Sequence, residues 1–270
     1  MILRHIAAGF IAALSVNAAP AASPTASADS ITRSGSQRIN GTIYAGGVRF
    51  GEDLREISAD ITVPTCSVGQ PYSPYSTYES DGWVGMGGYS KVGGLIQTGV
   101  SCFAQKGTST SYKIWTEYFP ALQDFYNDTD IQAGDVISAR VVAHNKTSGT
   151  TYLHNKRTGK RYSTTYINQT SELTFRDVEW ITESRLYLNI LGPQGHLDAK
   201  YTPWQFRDAR YVSKDGKKHK SHKFELVSGS HMLYTILNGV KIAEGVYDRA
   251  GHIQVHDTTP ANYTLPGFYG

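Results

Sequence analysis

His231-Met232-Leu233-Tyr234-Thr235-Ile236-Leu237-Asn238-Gly239-Val240-Lys241-Ile242-Ala243-Glu244-Gly245-Val246-Tyr247 sets two β-prone runs on either side of Asn-Gly. That dipeptide between such runs is the strongest short hairpin signal, because both turn residues must adopt positive φ. The same grammar recurs along the chain. Val136 to Ala143 alternates Ile137, Ala139, Val141 and Ala143 with Ser138, Arg140 and Val142, the period-two pattern of a strand with one buried face. Ala133-Gly134-Asp135, Ser148-Gly149, Thr158-Gly159 and Asp215-Gly216 punctuate it at short intervals. No stretch carries a convincing amphipathic helical period, and 18 tyrosines suit pleated, half-buried faces. Many short antiparallel strands predict an all-β chain, a two-sheet sandwich or jelly roll.

Outward from that body, the ends read differently. Arg4 and His5, an apolar run from Ile6 to Val16, and small residues at Ala18, Ala19, Ala21 and Ala22 predict an export signal over residues 1–19. Residues 20–38, rich in Ala, Ser, Pro and Thr, lack the apolar side chains to fold and read as a disordered leader or propeptide. Residues 39–270 remain as one domain, without internal repeats. The apolar run is too short for a membrane span and no later stretch approaches that length, so a soluble, secreted monomer is expected. Five Asn-x-Thr sequons, at Asn40, Asn127, Asn145, Asn168 and Asn262, fit a glycosylated extracellular protein. The two cysteines, Cys66 and Cys102, predict one disulfide in an oxidising compartment. The formal net charge of +3 leaves the surface nearly balanced, and the basic run Lys214 to Lys223 lacks interleaved aromatics that would stack bases. It is expected to be a solvated loop between strands, and no nucleic-acid partner is expected.

Two apolar runs carry a polar residue that a structural strand does not need: Gln97 in Leu95-Ile96-Gln97-Thr98-Gly99-Val100, and Glu179 in Asp177-Val178-Glu179-Trp180-Ile181. Taken alone, each also suits an ordinary solvent-facing position. Parity places Gln97 with Leu95 and Gly99, and Glu179 with Asp177 and Ile181; Ile96, Thr98, Val100, Val178 and Trp180 face the opposite layer. An amide and a carboxyl brought together can hydrolyse an acyl bond. The amide bonds to a water and to an oxyanion at any pH, and the carboxyl moves the proton. Other hydrolytic constellations fail. There is no paired Asp-Thr/Ser-Gly, no His-Glu-x-x-His and no Gly-x-Ser-x-Gly. His252 and His256, four apart on an expected strand, stand about 13 Å from each other, too far to share a metal. Most of the nine histidines are expected at the surface, and no metal or cofactor is expected.

Trp83-Val84-Gly85-Met86, Leu95-Ile96-Gln97-Thr98-Gly99-Val100, Trp115-x-Glu117-Tyr118-x-Pro120 and Val178-Glu179-Trp180-Ile181, in this order, resemble the successive signatures of the fungal glutamic peptidases, or eqolisins. Ile57 to Thr65 resembles that family's strand ending in Val-Pro, and Asn145 to Gly149 and Lys156 to Gly159 resemble its turns. The resemblance implies a concanavalin-like β-sandwich of two curved antiparallel sheets with its site on the concave face. It implies an endopeptidase acting on polypeptides in acid, with Gln97 and Glu179 as catalytic dyad and Trp83, Trp115 and Glu117 shaping the substrate cleft. The chain departs from the pattern at Gly87, where the family carries Asp; at Lys113, where it carries an acid; and at Tyr44, where it carries Trp. These departures bear on acidophily and subsite preference. Two other readings stand beside it: a jelly-roll glycoside hydrolase pairing Glu117 with Glu179, and a lectin-like binding protein without catalysis.

Overall fold

The computed structural model describes residues 37–90, 93–184, 196–220 and 230–264; the expected export signal and most of the leader lie outside them. Among the described residues there are nineteen strands and no helix. In order they are β1 (Gln37–Asn40), β2 (Tyr44–Phe50), β3 (Leu54–Thr62), β4 (Cys66–Ser67), β5 (Thr77–Met86), β6 (Leu95–Ala104) and β7 (Ser111–Phe119). Next come β8 (Asp124–Phe125), β9 (Val136–Asn145), β10 (Ser148–Asn155), β11 (Arg161–Tyr166), β12 (Asp177–Glu183) and β13 (His196–Asp198). The last are β14 (Lys200–Tyr201), β15 (Trp204–Ser213), β16 (Lys218–Lys220), β17 (Ser230–Leu237), β18 (Val240–Tyr247) and β19 (Ile253–Asp257).

The front layer runs β8–β7–β6–β5–β12–β2–β17–β1. The back layer runs β18–β19–β15–β3–β9–β10–β11. One hairpin joins them: β17 pairs with β2 through Ser230–Leu233 and with β18 through Tyr234–Leu237. Its turn is Asn238-Gly239, with φ of 51° and 77° as the dipeptide requires. Almost every pairing is antiparallel; β1 on β17 and β13 on β5 are short parallel exceptions.

Between the layers lies the main core, to which β9 contributes Ile137, Ala139, Val141 and Ala143, all buried, as the alternation predicts. Ile57, Ala59 and Ile61 of β3 meet Val84, Ile96, Val100, Val178 and Trp180 there. The Trp180 indole donates to the Ser58 carbonyl across the layers at 3.2 Å. A second, smaller cluster sits on the other face of the front layer: Val48, Trp83, Leu95, Trp115, Ile181 and Leu233. β5 and β6 are therefore buried along both faces. Cys66 of β4 and Cys102 of β6 form the expected disulfide, their Cα atoms 6.4 Å apart.

Two segments differ from expectation. β1 begins at Gln37, two residues inside the stretch assigned to the leader, and its backbone pairs with His231–Tyr234. The basic run is not all loop: Lys218–Lys220 pairs with Arg210–Val212, while Lys214–Lys217 is exposed and residues 221–223 lie outside the described residues. A charged sequence can pair at an edge because the ladder uses backbone groups and charged side chains protect the edge.

Candidate active site

The register places Gln97 and Glu179 opposite the same residue. Gly85 of β5 pairs with Gln97 of β6 on one side and with Glu179 of β12 on the other. The row continues to Glu117 of β7 beyond Gln97, and to Val48 of β2 and His231 of β17 beyond Glu179. Register partners project to one face, so the amide and the carboxyl stand two strand spacings apart on that face, about 10 Å between Cα atoms. Only glycine fits between them, because the Trp83 ring and the Leu95 side chain already fill the space above it. A Cβ on Gly85 would stand 2.7 Å from the Trp83 ring and 3.2 Å from Gln97 Cβ.

One row along the strands, Trp83 and Trp115 flank Gly99 in the same manner. A Cβ on Gly99 would lie 2.6 Å from Trp83 Cβ, so only glycine lets the two indoles share this floor. All five predicted site residues thus stand on two adjacent rows of one face. Trp83, Trp115, Gln97 and Glu179 are buried and Glu117 is half-buried.

Buried polar atoms are normally hydrogen-bonded, and each exception calls for a reason. Here the exceptions gather. Among the described residues, Gln97 Oε1, both Glu179 carboxyl oxygens, and the Nε1 atoms of Trp83 and Trp115 meet no hydrogen-bond partner. Each such group costs about 1–3 kcal/mol to leave unmet. Two donors and three acceptors gathered on two adjacent rows of one face are suited to a polar ligand. Burial pushes the Glu179 carboxyl well above the usual carboxylate range, and the charge of Asp177, two residues back on the same face, adds to it.

The sequence reading placed Asp177 beside Glu179 but gave neither it nor Tyr89 a role at the site. Asp177 is fully buried, and its carboxylate accepts from the backbone N–H groups of Tyr89 (3.3 Å) and Ser90 (3.1 Å) and from the Ser90 hydroxyl. This ties the connection after β5 down onto β12. Tyr89 then packs on Phe50 (ring centroids 5.6 Å apart) and Tyr44 (6.3 Å), and Tyr44 meets Trp83 edge-on at 5.5 Å. Burial, with the charges of Glu179 and Asp177, pushes the Tyr89 hydroxyl up to about 12. The Tyr44 hydroxyl is raised further, by burial first and then by Glu183 and Glu179. His231 is half-buried against Phe50 (5.2 Å), unlike the surface position expected of most histidines, and burial lowers its pKa.

The departure at Gly87 has a local cause. Its φ is +89°, and a Cβ there would lie 2.5 Å from the Gly94 carbonyl oxygen, so an aspartate does not fit this backbone. The Gly87 amide instead donates to the Asp177 carbonyl at 3.2 Å, and the nearby carboxylate comes from Asp177 itself. Among the described residues no three His, Cys, Asp or Glu side chains are placed to hold a metal.

Comparison with known proteins bears on the family and the fold. Residues 42–247 match the model of the Peptidase A4 family. The chain is 29% identical to aspergillopepsin-2 of Aspergillus niger over 168 residues, which cover 54% of this chain and 59% of that protein. It is 31% identical to scytalidopepsin B of Scytalidium lignicola over 162 residues, 60% of this chain and 57% of that protein. The chain thus spans under three fifths of the length of these curated relatives. The crystal structure of scytalido-glutamic peptidase with a transition-state analogue inhibitor superposes with a TM-score of 0.67 at 24% identity, over 80% of this chain and 98% of that one, a likeness of fold.

Proposed function

Because the chain belongs to the peptidase A4 family, we propose that it is a secreted acid endopeptidase in which Gln97 and Glu179 activate water. One observation carries the reading. An amide and a carboxyl with unpartnered buried oxygens flank the same glycine on one face of the front layer.

A water held between Gln97 Oε1 and the Glu179 carboxylate loses a proton to Glu179 as its oxygen attacks a peptide carbonyl carbon. The carbonyl oxygen becomes an oxyanion, and the Gln97 Nε2–H group donates to it. The tetrahedral species then collapses, Glu179 returns the proton to the leaving nitrogen, and the C–N bond breaks. Trp83 and Trp115 supply indole N–H donors and an apolar floor, and Glu117 borders Gln97 on its outer side. No cofactor takes part in this scheme. The base must be ionised, so activity climbs with pH through the raised Glu179 pKa. The acid limb of activity therefore lies above the one an ordinary glutamate near about 4.3 would set.

The glycosidase alternative pairs Glu117 with Glu179, yet these stand three strand spacings apart, about 14 Å between Cα atoms, with Gln97 between them. That pairing leaves Gln97 without a role. All five sequon asparagines are exposed, which is compatible with glycosylation of a secreted monomer.

The test is cleavage of acid-denatured protein between about pH 3 and 6. Glu179→Gln is expected to fold and to lose turnover. Gln97→Ala is expected to lose at least about 100-fold in kcat, the usual cost of one oxyanion donor. Full activity in the folded Glu179→Gln protein would refute the assignment.

A further inference from the structure

Past the tryptophan row, the cleft floor continues along β5, β6 and β7 on the same face. The next row is Asp81–Ser101–Lys113, and the one after it Glu79–Phe103–Ser111. Resting on the reading of this face as a peptide cleft, we propose that Lys113 and Ser101 form a subsite that accepts an acidic side chain of the substrate.

Lys113 is exposed, and its ammonium lies over two rings, 5.8 Å from the Phe103 centroid and 5.3 Å from that of Phe125. These rings meet edge to face at 6.1 Å. The rings hold the cation in place from one side but accept none of its N–H bonds directionally. Among the described residues no carboxylate forms an ion pair with it. The neighbouring acids are engaged elsewhere: Glu79 bonds His196 Nδ1 at 2.6 Å, and Asp81 accepts from the Glu183 amide at 3.1 Å.

The second observation is independent. Ser101, the register partner of Lys113, is fully buried, and among the described residues its hydroxyl has no hydrogen-bond partner. An ammonium at the wall and a hydroxyl in the floor, on side chains about 5 Å apart at Cβ, make a donor pair for one carboxylate. A cavity of about 330 Å³, walled by Phe103, Lys113, Ser111 and His196, opens at this end of the face. It has room for an Asp or Glu side chain. Four strand residues separate Gln97 from Ser101, about 13 Å, so the contact falls several substrate residues away from the scissile bond.

The experiment compares quenched peptides that carry Glu or Gln at one position at a time around a single cleavable bond. At about pH 5.5 a substrate glutamate is ionised, and at about pH 3.5 it is mostly neutral. At one position Glu is expected to exceed Gln in kcat/KM by about three- to five-fold at the higher pH, the span of a partly exposed ion pair. The ratio is expected to fall to unity at the lower pH and in Lys113→Gln, to persist in Lys113→Arg, and to invert in Lys113→Glu when Lys replaces Glu in the peptide. No Glu preference at any position, or one that survives Lys113→Gln, overturns the proposal. Binding of the same peptides to Glu179→Gln, read by fluorescence anisotropy, separates the two readings. A Glu preference in binding without cleavage by the wild type keeps the subsite and removes the dyad. Cleavage without any preference does the reverse, and the absence of both removes both.

Discussion

Gly85→Ala tests the geometry of the site without removing any group that performs chemistry. The new methyl would lie 2.7 Å from the Trp83 ring, 3.0 Å from Leu95 Cδ1 and 3.2 Å from Gln97 Cβ. Trp83 is buried at 1% exposure and packed against Tyr44, so the ring has nowhere to retreat. Overpacking of this kind costs about 1–3 kcal/mol. For a domain of this size that lowers Tm by roughly 3–10 °C, which leaves the protein folded at 20 °C. The effect on turnover is expected to be larger. Pushing Gln97 and Trp83 aside by several tenths of an ångström to one ångström displaces both the amide and an indole donor, and a misplacement near 1 Å costs about 100-fold. That corresponds to about 2.7 kcal/mol of barrier. The assay is kcat/KM on a quenched peptide at 20 °C, beside a circular-dichroism melt. A folded Gly85→Ala protein with kcat/KM within about threefold of wild type would refute the claim that the glycine between them sets the dyad.

Two further outcomes follow from the ionisation of Glu179. Removing the neighbouring charge with Asp177→Asn lowers the Glu179 pKa, so the acid limb of kcat/KM moves to lower pH; an unmoved limb would show that Asp177 acts only through its bonds to Tyr89 and Ser90. The folded state raises the pKa of Glu179, so its contribution to stability is full below the unfolded value of about 4.3 and is lost as pH rises through the folded value. Glu179→Gln does not titrate, so its Tm advantage over wild type is expected to widen from about pH 4 toward neutrality; a gap constant across pH would contradict the assigned burial cost.

How far the sequence carried these conclusions depends on the distance over which each interaction acts. Alternation along β9, the Asn238-Gly239 turn and the facing of Gln97 and Glu179 are local, set by period two and by turn chemistry, and each was legible. That Gln97 and Glu179 share Gly85 was not, because register between strands more than eighty residues apart along the chain is decided by packing of the whole front layer. Asp177 was visible as a co-facial neighbour of Glu179, but its bonds to the Tyr89-Ser90 backbone depend on a turn that no local pattern specifies. Burial was illegible too, and it is burial that lifts Glu179 above an ordinary carboxylate. The lysine-rich run reads as loop from its charge, yet Lys218–Lys220 pairs through its backbone with Arg210–Val212.

The shared glycine makes the site all-or-none. A one-residue slip of β6 or β12 against β5 would turn Gln97 or Glu179 into the interior between the layers and bring Ile96 or Val178 outward in its place. No half-aligned arrangement retains a fraction of the machinery. Regain of turnover during refolding therefore dates the moment at which three strands lock together, a clock inside the molecule that ordinary spectroscopic measures of β content do not provide.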